Sequence, residues 1–472
     1  MRIVLLLAGL LSLAGCAQNP VSGGQDFVMM SEQQEVVEGR RADQQVRQQY
    51  KVYPSKALQD YVNYVGQKLA RHSHRPNLEY HFTVVDSPEI NAFALPGGYV
   101  YITRGILPYL NSEAEMAAVL GHEIGHVTAR HGVRQQSAAQ ATNIGMAVAS
   151  IFVPQLNTYA GNNLANLLGG ALLSGYGREH ELEADKLGAE YLARTGYDPH
   201  AMISVVGVLK NQELFDAEQA KLEGREPRRY HGVFATHPDA DTRLQQVVGE
   251  SSKLEVSEPQ ENRSEFLRQI DGIVFAESSD QGVLRNNKFL HRELGFALTF
   301  PAGWKVQNLP VKLVATSPDG SGVIQLKVDP KPNASPFEYA SRLGGSSARV
   351  ENADFGGLPA AILNLNAGVT GTVALKGQMY VIQCNAKSAE VMASLRDDML
   401  RSVRSFHPLS EAERKEAQPL SVDVVTAHAG DTYAGLAKAS PLAKNAESYL
   451  RLINAAYPKG EPVAGQQIKI IK

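Results

Sequence analysis

Apolar residues recur at helical spacing along one early stretch of the chain: Leu120, Ile124 and Val127 stand at i, i+4 and i+7, a stripe that one helical face would bury. Ser112 with Glu115 three residues on makes a capping box, and Gly132 supplies a stop, so the pattern predicts a helix from Ser112 to His131. A second helical pattern opens at Arg178-Glu179-His180-Glu181-Leu182-Glu183-Ala184-Asp185 and continues through Leu187, Tyr191 and Leu192. Between the two, residues 135 to 177 carry no charge and are rich in Ala, Gly, Leu and Asn. That stretch reads as a buried helical pair covering a cleft, with a membrane-facing amphipathic segment as the other reading. Its Asn and Gln residues interrupt the apolar pattern too often for a transmembrane helix. Tyr99 to Thr103, aromatic and β-branched after a Gly-Gly turn, predicts a strand at an exposed sheet edge that an extended peptide could join, or an ordinary core strand. Further along, a short helical pattern from Phe266 to Ile273 precedes strands at Phe296 to Phe300, Val323 to Val328 and Met379 to Gln383.

Chemistry concentrates on the first helix. His122 and His126 are four residues apart, so both imidazoles share a face and can reach one tetrahedral metal. Glu123 sits about 100° around the helix, beside the remaining coordination position. A buried helix with merely hydrogen-bonded histidines is the bland alternative. A third ligand is needed. His131 falls five residues after His126 where the extended three-histidine pattern requires six, and Gly132 holds that place, so His131 is expected to cap the helix end. Glu181 and Asp185 share a face of the second helix, whereas Glu183 is turned about 200° from Glu181. Glu181 is therefore expected as the ligand, with Asp185 accepting an N–H from a ligand histidine and fixing its tautomer. A solvated acidic face is the alternative for this charge run.

These residues resemble the HtpX-like and BepA-like zinc metallopeptidases that also include the CAAX prenyl proteases. Asn91 to Gly98 followed by Tyr99 to Thr103 looks like the family's strand and turn ahead of the active-site helix. Glu181 to Asp185 matches its E-x-x-A-D element, and Thr236-His237-Pro238 with Arg243 is similar to its cleft-lining element. The resemblance covers roughly residues 30 to 250. It implies one zinc ion per chain on His122, His126 and Glu181, a water whose pKa falls to about 7, and Glu123 as general base and acid. His237, or else Arg243, is implied as the stabiliser of the oxyanion, against a plain loop turn and a surface helix.

The amino terminus changes the picture of where this would happen. Arg2, the apolar run Ile3 to Leu13, and Leu13-Ala14-Gly15-Cys16 read as a secretory signal ending in a bacterial lipobox, with Cys16 lipidated. The apolar run is too short to span a bilayer. Ala17 in place of a retaining aspartate resembles lipoproteins sorted to the outer membrane, so a periplasm-facing outer-membrane lipoprotein is expected, with a flexible tether after Cys16. Cys384 is the only other cysteine, so no intramolecular disulfide is expected. A net charge of −3 makes no electrostatic case for nucleic acid.

At 472 residues the chain has room for several domains, and 43% hydrophobic with 20% charged content is ordinary for globular proteins. Phe300 to Trp304 faintly resembles PsbP-like domains. Val425-Thr426, Gly430 to Thr432, Tyr449 to Asn454 and Gly465 to Ile470 resemble a LysM-like module, which implies peptidoglycan binding; a simple protein-interaction module is the alternative. The expected class is α+β: a mainly helical zincin-type metalloprotease domain with a small sheet, an α+β accessory domain and a small LysM-like domain. The expected boundaries are 1–15 signal peptide, 16–30 tether, 31–255 metallopeptidase, 256–285 linker and helix, 286–408 accessory domain, 409–420 linker and 421–472 LysM-like domain. Polypeptides of the cell envelope are the expected substrates. A non-proteolytic chaperone-like or peptidoglycan-binding lipoprotein with structural zinc, and a cell-wall hydrolase, are the competing classes.

Overall fold

The structure, a computed structural model, describes residues 16–140, 177–223, 240–276, 282–309, 312–345, 349–442 and 445–472. The uncharged stretch expected as a cover falls almost wholly outside these residues, as does His237. The chain is α+β and divides into two compact units, Met1–Phe275 with Ser421–Lys472, and Ala276–Leu420.

The first unit opens with a hairpin, β1 (Cys16–Gln18) against β2 (Gln25–Phe27), where a flexible tether was expected. Asn19 closes its turn, accepting from the Val21 and Ser22 N–H groups at 2.7 and 3.0 Å and donating to Asp26 at 2.7 Å. The exit is fastened too: the Met29 N–H donates to Ser137 Oγ at 2.9 Å, and the Met30 carbonyl accepts from Arg130 at 2.8 Å. Helices α1 (Glu32–Gln49), behind a Ser31/Gln34 capping box, and α2 (Lys56–Ala70), capped by Ser55, follow.

Strands β3 (His81–Val85), β4 (Ala92–Leu95) and β5 (Tyr99–Thr103) form a sheet in the order β3-β5-β4. Tyr99 to Thr103 is thus the central strand and is buried throughout, not the exposed edge. β3 and β4 are the two edges; among the described residues β3 also carries a bridge from Val52 to Val85, whereas β4 pairs with β5 alone. Strand order is a non-local property, so a good strand composition could not reveal it.

The helix that carries His122 and His126 is α3 (Glu113–Thr128), capped by Ser112 Oγ accepting from the Glu115 N–H at 3.1 Å. The return arm of the expected capping box goes elsewhere, since Glu115 accepts from the Asn111 N–H at 2.7 Å. α3 also ends earlier than Gly132 suggests. Arg130 adopts a left-handed φ of 56°, and residues 131–140, Gly132 included, continue as a further helix. A non-glycine residue adopts that conformation at a cost. Arg130 is held there by its hydrogen bonds to Glu35 at 3.0 Å and to the Met30 carbonyl.

Helix α4 (Arg178–Arg194) packs along α3, and α5 (Ala201–Glu223), α6 (Ala240–Ser251) and α7 (Arg263–Ile270) complete the helical layer. The α3–α4 approach depends on missing side chains. A Cβ on Gly125 would stand 3.0 Å from the Ala184 carbonyl oxygen, and one on Gly121 only 3.3 Å from the Gly188 Cα. Glutamates on α4 are thereby carried within reach of histidines on α3.

The second unit is built on a seven-stranded antiparallel sheet that contains Gly322–Asp329 and Gln378–Ala386, where two of the strands were read from sequence. Phe296–Thr299 lies instead in a separate four-stranded sheet. Phe296 and Phe406 stack at 5.0 Å in the core, and burial pushes the Cys384 thiol there up to about 12. Glu411–Glu416, expected as linker, is a short helix with its own capping box from Ser410.

The C-terminal residues return to the first unit as strand, helix, helix, strand: β6 (Leu420–Thr426), α8 (Tyr433–Ala437), α9 (Ala446–Ile453) and β7 (Gln467–Ile471). Rather than standing apart, Ser421–Lys472 join the first unit. Lys469, fully buried, donates from Nζ to the Pro108 and Leu110 carbonyls at 2.7 and 2.5 Å, just ahead of α3. Arg263 ties the Asn111 carbonyl (2.7 Å) to that of Gln467 (3.0 Å).

Candidate metal centre

The start of α3 is fixed by Glu113, a buried carboxylate that accepts from Tyr61 at 2.8 Å, Tyr197 at 2.7 Å and Asn262 at 2.8 Å. An anion in the first turn also suits the helix dipole. About two and a half turns on, the chain presents His122, Glu123 and His126, all buried. Across from them on α4, Glu181 is fully buried.

The structure brings His122, His126 and Glu181 together. Their Nε2 atoms lie 3.0 Å apart, and Glu181 places Oε2 3.5 Å from His122 Nε2 and Oε1 3.5 Å from His126 Nε2. Among the described residues this is the one group of three metal-ligating side chains found. Zinc bonds of about 2.0–2.1 Å in a tetrahedron require ligand atoms roughly 3.3 Å apart, so the donor set fits a zinc ion. Two imidazoles and one carboxylate also leave the fourth position open, as a catalytic site requires.

Asp185 Oδ1 lies 2.8 Å from His122 Nδ1. A carboxylate only accepts, so His122 carries its proton on Nδ1 and turns the Nε2 lone pair inward. Burial opposes a charged His122, but the Asp185 carboxylate outweighs it and raises the ring to about 9, so a proton competes with metal for this ligand. Burial likewise works against an ionised Asp185, yet Arg243 and His122 hold its carboxyl below the ordinary range.

Arg243 comes from α6 and is almost wholly buried. It grips Asp185 with two hydrogen bonds and lies 3.1 Å from Glu181 Oε2. The sequence placed it in the cleft as a candidate for the oxyanion; the structure places its guanidinium on the two carboxylates of α4. Its other expected companion, His237, is among the residues not described.

Sequence reasoning missed the second support. His131 does not cap α3: its Nδ1 lies 2.8 Å from His126 Nδ1, and its Nε2 lies 2.9 Å from Glu183 Oε2. Glu183, which points away from the metal position as helix geometry required, is thereby connected to it. The spacing of His131, a turn and a half past His126, was the available signal. A buried network, Arg75 to Glu35 at 2.8 Å and to the Val127 carbonyl at 3.0 Å, also escaped notice; it pins α1 to the end of α3.

A buried histidine pair and glutamate on two close-packed helices, with Glu123 beside them, is the construction of the HExxH metallohydrolases. Residues 56–251 match the model of peptidase family M48. The chain is 32% identical over 204 residues to the beta-barrel assembly-enhancing protease of Escherichia coli (strain K12), an alignment covering 42% of this chain and 39% of that one. It is 30% identical over 190 residues to the mitochondrial metalloendopeptidase OMA1 of Schizosaccharomyces pombe, covering 40% and 51%. The chain thus spans about two fifths of the length of the first curated relatives it matches. Among solved structures, the cyanobacterial PsbP of Synechocystis sp. PCC 6803 aligns with 27% of this chain and 96% of its own, at 13% identity and a TM-score of 0.23.

Proposed function

We propose that this chain is a zinc-dependent endopeptidase of the cell envelope, tethered by a lipidated Cys16 to the outer membrane and facing the periplasm. The observation that carries the reading is the triangle of His122 Nε2, His126 Nε2 and the Glu181 carboxylate, with edges of 3.0 to 3.5 Å. Zinc held there would supply a water of pKa about 7 and polarise the scissile carbonyl. Glu123, adjoining the ligands, takes the proton from water and returns it to the leaving amine. Asp185 and Arg243 keep the donors oriented. With Arg243 so engaged, we assign the oxyanion to His237.

The free side of β4 offers main-chain groups to an extended peptide, giving affinity with little reading of sequence. That suits misfolded or unassembled envelope polypeptides as substrates, in keeping with the name of the Escherichia coli relative. The strand, helix, helix, strand order of residues 421–472 is compatible with a LysM-like module that binds peptidoglycan, and residues 286–408 act as an accessory domain.

Glu123→Gln tests the assignment. Cleavage of unfolded casein should fall by about 10²–10⁴-fold while zinc stays bound; unchanged cleavage would defeat Glu123 as the base. Incubation with purified peptidoglycan in parallel separates a peptidase from a cell-wall hydrolase, and casein left intact would favour a non-proteolytic lipoprotein.

A further inference from the structure

The two histidines of the triangle are supported differently. His122 rests directly on a carboxylate, Asp185 Oδ1 at 2.8 Å. His126 reaches its carboxylate through another ring: His126 Nδ1 is 2.8 Å from His131 Nδ1, and His131 Nε2 is 2.9 Å from Glu183 Oε2. His131 is fully buried and its ring plane is held by stacking on His180, 4.3 Å between centroids at 17°. Arg134 Nη1, 3.2 Å from the same Glu183 oxygen, fixes the far end.

Counting protons along this chain of atoms fixes its direction. An ionised carboxylate can only accept, so the proton between His131 and Glu183 belongs to His131 Nε2. A neutral imidazole has one donor and one acceptor nitrogen, which leaves His131 Nδ1 bare. A His126 that gives Nε2 to a metal carries its own proton on Nδ1, so a His131 Nδ1 that accepts is what this contact requires. The short contact between the two Nδ1 atoms then requires His126 to be the donor, with its lone pair on Nε2, the atom that faces His122 and Glu181. The opposite tautomer would bring two lone pairs together at Nδ1 and turn a proton toward the metal position.

We propose that His131, oriented by Glu183, is the positioning residue that locks His126 in the tautomer whose Nε2 is free to bind metal. This deepens the zinc-site reading and rests on it. Asp185 and the His131–Glu183 pair are thus two separate tautomer locks, one for each histidine.

The test uses the full-length, zinc-loaded, ¹⁵N-labelled chain. A scalar coupling across the hydrogen bond between His126 Nδ1 and His131 Nδ1 is expected, with the shared proton assigned to His126 and His131 Nε2 also protonated. Zinc affinity, read by competition with a chelator, should weaken about 10–100-fold in His131→Leu. In His131→Gln, whose amide oxygen can accept from His126 while its NH₂ donates to Glu183, affinity should return to near the original value. A packing role alone predicts no such rescue. The inference is overturned if the coupling is missing, if the proton lies on His131 Nδ1, if His131→Leu stays within about twofold of the original affinity, or if Gln does no better than Leu. Should His131→Leu fail to fold, the coupling and the Gln variant still decide. A parent chain that binds no zinc would sink the zinc-site reading itself; unweakened zinc binding in His131→Leu would sink this inference alone.

Discussion

Arg243 clasps Asp185 through two hydrogen bonds, Nε to Oδ2 at 2.7 Å and Nη2 to Oδ1 at 2.6 Å, in a pocket closed to solvent. Removing the cation would strand a buried carboxylate, and breaking such a pair by deleting one partner costs about 3–5 kcal/mol. Arg243→Leu is expected to lose that much unfolding free energy by urea denaturation. Asp185→Asn keeps the shape and should show its main effect in zinc affinity, weakened by about 10–100-fold. A neutral result for Arg243→Leu would mean that the pair is an ornament of the fold.

Glu181 supplies the only carboxylate of the triangle. In Glu181→Ala, zinc should no longer raise the melting temperature, whereas the parent gains about 2.7 kcal/mol at a hundredfold excess of zinc over its dissociation constant. Metal analysis by mass spectrometry checks the same point. Full occupancy in the variant would shift the third ligand to Glu179 or Glu183.

Lys469 donates from Nζ to two carbonyls beside the start of α3. Lys469→Met retains the stem but leaves Pro108 and Leu110 unsatisfied, at about 1–3 kcal/mol for each buried carbonyl. Chemical denaturation should register the loss in the first unit.

In the second unit, burial alone would raise the Glu413 carboxyl, but the Ser410 N–H at 3.0 Å, His407 at 3.0 Å, the Ser410 hydroxyl at 2.8 Å and Lys288 at 3.2 Å bring it down to about 2. A carboxylate whose folded pKa is depressed stabilises fully above its unfolded pKa of about 4.3 and loses that contribution as pH falls toward the folded value. The stability difference between the parent and Glu413→Gln should therefore be constant near neutrality and shrink between about pH 4 and 2. Urea titrations across that range measure it; a difference that grows on acidification would reverse the assignment.

Much of the metal centre was legible in the sequence because its determinants are local. The spacing of His122 and His126 and the shared face of Glu181 and Asp185 are properties of one helix each, and the helices formed. What was hidden depended on partners far along the chain. Arg130 ends α3 because Glu35 holds it, so no glycine was needed where one was sought. Tyr99–Thr103 became central once Ala92–Leu95 paired outside it. His131 was misjudged because the extended three-histidine template counts residues, whereas the backbone turns at Arg130 and swings the ring toward His126. The hairpin at Cys16–Phe27 lay behind a composition that reads as flexible, since one asparagine supplies its closure.

The Lys469 contact spans 361 residues to Pro108 and 359 to Leu110. A ribosome delivers the carbonyls first and the amine hundreds of peptide bonds later, so the start of α3 gains this contact only after the C-terminal strand has been made.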